Sequence, residues 1–229
     1  METDSETGQG SQVIVFAEAP APERVDDWLS PPLRPGQAAL VAEAALADTL
    51  DVVTAAPVTR RVLALDGAPG DWLPAGFRVI GQRGNGLDER LAAAFADAYA
   101  VAPLPMVLIG ADTPQVTADM LGDAVASLES GEADAVFGPS TDGGFWMVGL
   151  RRPDRSLLAG VPMAAQDPGR VLLERLAGAG LRVALAPRLT EVSAFEAAEQ
   201  VAGQCPSSRF AAAFSAAAFS AAASGLTSA

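Results

Sequence analysis

Three short segments hold the residue types from which a site can be built. The first is Gly110-Ala111-Asp112-Thr113-Pro114, which follows a continuous apolar run. Asp112 would then stand just past the carboxyl end of a buried strand. A carboxylate there suits Mg²⁺ or Mn²⁺ bridging to ligand phosphates. Asp before Thr-Pro is equally an ordinary turn and cap. The second is Gly138-Pro139-Ser140-Thr141-Asp142-Gly143-Gly144-Phe145, between two apolar runs. Its glycines permit close backbone approach, and Asp-Gly is also a hairpin turn signal. The third runs from Gln82 to Leu91, QRGNGLDERL. A Gly-rich loop opening a helix can present amides to an anion or a base, or simply start a capped helix.

Composition narrows the chemistry. There is no His, and all 15 basic residues are Arg. A Ser-His-Asp triad, an imidazole metal site, a Schiff-base lysine and a P-loop lysine are excluded. Carboxylates, Arg, hydroxyls, backbone amides and a hard metal ion remain. The net charge of −13 and the lack of a basic cluster argue against nucleic acid and against an anionic membrane surface. A lone cysteine, Cys205, fits a reducing cytoplasm. Residues 1–11 are polar and acidic, without the basic start and apolar run of a signal peptide; they are expected to be disordered. No apolar run is long enough to insert in a membrane.

The elements that must position these segments alternate. Gln12–Phe16, Arg61–Leu65, Arg78–Ile80, Pro105–Gly110, Asp134–Phe137, Phe145–Leu150 and Arg182–Ala186 read as strands. Helices are expected over Gly36–Leu50, Leu87–Tyr99, Thr117–Ser130, Pro168–Ala177 and Ala194–Val201, with Thr117 as an N-cap. Leu87, Leu91, Phe95 and Ala98 would share one helix face. Such alternation implies a three-layer α/β/α arrangement around a mostly parallel sheet. Ligands then bind at the carboxyl ends of the strands. Residues 12–202 would form this domain. Residues 203–229, which from Ser207 on are mostly Ala and Ser with Phe210, Phe214 and Phe219 between them, read as a frayed low-complexity tail or a marginal helix for a partner.

Phe16-Ala17-Glu18-Ala19-Pro20, Gln82 to Leu91, Gly110 to Pro114 and Gly138 to Leu150 occur in an order and spacing that resemble one bacterial family. It is the set of glycosyltransferase-like proteins catalogued as domain of unknown function 2064. The resemblance covers about residues 12–202. It implies a GT-A fold, of the nucleotide-diphospho-sugar transferase type, shared with phospholactate and molybdenum-cofactor guanylyltransferases. It implies a nucleotide or nucleotide sugar at the first loop and a divalent ion, Mg²⁺ or Mn²⁺, at Asp112. An acceptor would lie near Asp142 to Phe145. On this reading Asp112 and Asp142 are catalytic, and Asp112 and Glu191 bind metal. Arg24, Gln82, Arg90, Gly143, Gly144 and Phe145 bind substrate.

The chain departs from the family in its first loop. Where the family has Lys, Gly, Lys, Thr and Arg, it has Glu18, Glu23, Asp26, Asp27 and Trp28, and only Arg24 stays positive. The W-S-T stretch is replaced by Val161 to Gln166, and the D-V-D-T stretch reads Glu191-Val192-Ser193-Ala194. Two functions fit: an altered metal-dependent transferase, or an inactive relative kept for binding a small molecule or a protein.

Overall fold

The run between Pro105 and Gly110 forms the middle strand of a seven-stranded sheet in the computed structural model, which describes residues 10–21 and 29–226. The strands are β1 (Gln12–Glu18), β2 (Arg60–Asp66), β3 (Phe77–Gly81), β4 (Met106–Gly110), β5 (Ala135–Pro139), β6 (Phe145–Leu150) and β7 (Val183–Leu185). Their order across the sheet is β3-β2-β1-β4-β6-β5-β7. All run parallel except β6, which pairs antiparallel with both β4 and β5. The segment from Ser140 to Gly144 is therefore a hairpin connection, and it also stands at the end of the sheet where parallel strands finish.

Among the described residues there are seven helices: α1 (Pro35–Ala55), α2 (Leu87–Val101), α3 (Ala118–Ser130), α4 (Arg155–Leu158), α5 (Pro168–Gly178), α6 (Phe195–Gln204) and α7 (Arg209–Leu226). Successive strand residues point to opposite faces. Val13 and Val15 belong to one buried cluster with Leu46, Leu50 and Val53 of α1 and Leu121 and Val125 of α3. Ile14 on the other face belongs to a second buried cluster, with Leu91 and Phe95 of α2, Leu158 of α4 and Leu172 and Leu176 of α5. These are the three layers expected. Thr117 caps α3, its hydroxyl accepting from the Met120 amide at 3.3 Å. Leu87 departs from the expected buried face. It is 45% exposed because the first turn of α2 projects past the sheet, to the mouth of a cavity.

The C-terminal segment corrects the reading of 203–229 as a frayed tail. α7 packs on the body of the same chain, and the packed body continues beyond residue 202. Phe210, Phe214 and Ala217 form a stripe at helical spacing and are buried against Leu33, Val41, Ala198 and Val201. Asp48 of α1 accepts from the backbone amides of Arg209 at 3.2 Å and Phe210 at 2.8 Å, so its carboxylate caps α7. Arg209 also pairs with Asp51 at 2.6 Å. At the other end Ser11 is buried and leads into β1; residues 1–9 lie outside the described residues. No helix among the described residues is long and apolar enough to cross a membrane.

Candidate functional site

A cavity of about 600 Å³ opens where β1 and β4 end. Its walls are largely apolar, from Phe16, Leu46, Leu87, Leu91, Phe145 and Met163. Its charged lining residues are Glu18, Asp112, Asp142 and Glu191, and among the described residues no Arg lines it. Asp112 leaves β4 by the turn that precedes α3. Its backbone carbonyl accepts from the Val192 amide at 2.8 Å, which fixes the neighbouring Glu191 beside it. Asp142 sits at the tip of the β5–β6 hairpin. Its Oδ1 accepts from the Ser140 hydroxyl at 2.7 Å and from the Gly144 amide at 3.0 Å. Gly143 has φ +94°, which favours glycine, so the tip can turn sharply enough for that second bond.

Glu191 is delivered by a segment laced to the hairpin. The Trp146 indole donates to Pro187 O at 2.9 Å, the Thr141 amide to Leu189 O at 2.9 Å and the Arg188 guanidinium to Ser140 O at 2.6 Å. The Gln115 side-chain amide donates to Thr190 O at 2.7 Å. The three carboxylates therefore come from separate parts of the chain and meet in one crevice. Burial pushes the Glu191 carboxyl up to about 8, with the charges of Asp112 and Asp142 adding to it and a hydrogen bond with Ser140 opposing. Asp112 is reached by solvent through the cavity, yet protein walls surround it. Burial raises its carboxyl too, its own backbone amide opposes, and Asp142 adds to the rise. Acids gathered in a crevice with no cation among its described lining residues disfavour one another's ionisation.

The linkage gives a pH test on the metal-free protein. A carboxyl raised in the folded state holds its proton more tightly there than in the unfolded chain. Stability from Glu191 is full below its ordinary value of 4.5 and is lost as pH rises towards about 8. Melting temperatures taken from pH 4.5 to 8.5 should fall across this window, and Glu191→Gln should flatten the fall. An equal slope in the variant would place the effect elsewhere.

The remaining candidates are distributed differently. Gly144 and Phe145 line the main cavity. Gly143 lines a second one of about 520 Å³ on the far side of the hairpin, with Thr141, Gln166 and Arg170, and Asp142 borders both. Gln82 and Arg90 line neither. Gln82 donates to Ala17 O at 2.8 Å and Ala64 O at 2.9 Å, clamping the ends of β1 and β2. Arg90 bonds to Asp66 at 2.8 Å, approaches Glu18 at 3.7 Å and lies over the Phe16 ring. Its charge is already answered by two acids. Arg24 lies outside the described residues, as do Glu23, Asp26, Asp27 and Trp28. Sequence reasoning passed over Ser140, which orients Asp142; its place two residues before an Asp-Gly turn was the available signal.

Among the described residues no group of three or more Asp, Glu, His or Cys is arranged to hold a metal by itself. Mg²⁺ and its like need less, because they take one or two carboxylates and complete their shell with water and ligand phosphates. Asp112 and Glu191, whose charges raise one another's cost, fit that smaller set.

A candidate nucleotide-diphospho-sugar transferase from Desulfovibrio desulfuricans G20 superposes with a TM-score of 0.74 at 23% identity, over 81% of this chain and 83% of that one. CMP:2-keto-3-deoxy-manno-octonic acid synthetase, solved with CTP, gives 0.54 at 10% identity over 86% and 98%. Rv0371C of Mycobacterium tuberculosis H37Rv, solved with manganese, gives 0.51 at 16% over 84% and 97%. At these identities the likeness establishes the α/β fold of nucleotide-diphospho-sugar transferases. No curated protein matches the chain. The family model for uncharacterized proteins conserved in bacteria (DUF2064) matches residues 41–165, more than half of the sequence and the part that carries Asp112 and the Asp142 hairpin, and the chain belongs to that family.

Proposed function

We propose that this protein is a cytoplasmic, divalent-metal-dependent transferase acting on a nucleotide sugar or a nucleoside triphosphate. The observation that carries the reading is the meeting of Asp112, Asp142 and Glu191 at the strand ends with no cation among the described lining residues. Asp112 and Glu191 would hold the ion. A bound ion would neutralise phosphate charge and so stabilise a departing nucleotide. Asp142, bordering both cavities and held by Ser140 and Gly144, orients an acceptor against the donor. The fold shared with a CTP-bound synthetase and a manganese-bound protein supports the ligand class.

The acids set a condition on binding. A carboxylate about 5 Å from a phosphate costs on the order of 3 kcal/mol at an effective dielectric near 20. Free triphosphates without a divalent ion should therefore bind no more tightly than roughly millimolar. Calorimetry across nucleotides and nucleotide sugars, with and without Mn²⁺, checks this. Binding that appears only with Mn²⁺ supports the transferase. Micromolar binding without metal, or no nucleotide binding with it, overturns this function; the latter result favours an inactive binding module.

A further inference from the structure

We propose that Gly169, in the first turn of α5, is a positioning residue for the carboxylate site because it lets bare backbone pack against the tip of the Asp142 hairpin. The inference rests on the reading that these carboxylates bind a divalent ion. Gly169 is buried, and its amide donates to Gly143 O at 2.9 Å. A Cβ at 169 would overlap the carbonyl oxygen of Gly144 and stand 2.8 Å from that of Gly143. Both are backbone atoms and cannot rotate aside. The opposite flank of Gly144 faces the side chains of the acids and Ser140. A Cβ there would lie 2.9 Å from Ser140 Oγ, 3.2 Å from Asp142 Oδ1 and 3.5 Å from Glu191 Oε2. Gly144 is thus the layer between α5 and the acids, and its amide holds Asp142 directly.

The start of α5 gives the hairpin a firm surface to rest on. Asp167 caps the helix, its Oδ1 accepting from the Arg170 amide at 3.0 Å. Pro168 at the first helical position presets the backbone before Gly169. A carbon and a carbonyl oxygen pack at about 3.3 Å or more. A methyl group at 169 must therefore move the tip by roughly 1 Å, and Asp142 with it. The tip is laced to the segment that delivers Glu191, Arg188 donating to Ser140 O and the Thr141 amide to Leu189 O, and displacing the support of a metal-binding carboxylate typically weakens metal affinity by about 10–100-fold.

The test compares Gly169→Ala with Gly178→Ala, a control on the same helix whose Cβ meets nothing within 4 Å. Mn²⁺ dissociation constants are read by electron paramagnetic resonance of the free ion. Gly169→Ala should weaken binding by about tenfold or more while still melting cooperatively, and Gly178→Ala should match the wild type. Unchanged affinity in Gly169→Ala overturns the proposal. If that variant does not fold, hydrogen exchange on the wild type decides, since coupling is reciprocal. Saturating Mg²⁺ should then slow exchange of the Gly169 amide, and no slowing counts against the proposal. If the wild type binds no Mn²⁺, the proposed function fails separately. Positioning is then read from the amide resonances of Asp142, Gly143 and Gly144, which must shift in Gly169→Ala and not in Gly178→Ala; unmoved resonances overturn it.

Discussion

Removing residues 207–229 will lower the melting temperature by roughly ten degrees or more. The segment has the composition of a dispensable tail, but α7 carries two fully packed aromatic rings. Phe210 and Phe214 contact each other at 6.1 Å between centroids, and Phe214 meets Phe195 of α6 at 5.0 Å. Deleting one such ring from a core costs about 3–5 kcal/mol. At about 2–4 °C per kcal/mol for a chain of this size, Phe214→Ala alone should lower the midpoint by roughly ten degrees. The ordering entropy of α7 is released on deletion, so the truncation costs less than the sum of its contacts. Phe219 is 80% exposed on the outer side of the same helix, and Phe219→Ala should change the midpoint by no more than about a degree or two. The loss also reaches the site. Val192, which neighbours Glu191 and donates to Asp112 O, belongs to the cluster that α7 closes. A truncated chain melting within a few degrees of the full one would show that α7 does not dock in solution.

How far the sequence foretells this architecture depends on what sets each element. β4 and β6 are legible because continuous apolar runs meet Pro or Gly, and burial on both sheet faces requires such runs. α3 is legible at both ends, from Thr117 at its start to Ser130 at its last residue. α4 is a single turn capped by Asp154, too short for any periodicity to register. α7 did show Phe210, Phe214 and Ala217 at helical spacing, yet nothing local reveals that the partner surface is Val41 and Asp48 of α1, more than 160 residues away. The site divides in the same way. Asp112 and Asp142 follow strand ends, and the topology of a sheet brings such residues together. Gln82 and Arg90 look like ligand groups in the sequence, but in the fold the Gln82 side chain donates to the Ala17 and Ala64 carbonyls and Arg90 pairs with the Asp66 carboxylate. Gly169 reads as part of an ordinary helix start, because what it makes room for is another piece of backbone.

Asp112→Asn will abolish the thermal stabilisation that Mn²⁺ confers, while leaving the metal-free protein as stable as the wild type or slightly more so. In the metal-free crevice Asp112 and Glu191 raise the cost of each other's charge, so a neutral amide of the same shape at 112 relieves repulsion. The structural role of this residue lies in its backbone carbonyl, which accepts from Val192 and survives the substitution. With a divalent ion the balance reverses. A ligand present at 100 times its dissociation constant stabilises the folded state by about 2.7 kcal/mol. That corresponds to roughly 5–10 °C for a chain of this size. The amide oxygen of Asn carries no full charge, so of the two proposed ligands only Glu191 can offer the ion a carboxylate. The stabilisation should then fall within error of zero at the same Mn²⁺ concentration. Melting curves of both proteins with and without Mn²⁺ separate the two roles. If Asp112→Asn unfolds the metal-free chain, the residue is a structural cap of the turn into α3. If the wild type gains nothing from Mn²⁺, the carboxylates are not a metal site, and the transferase reading falls with them.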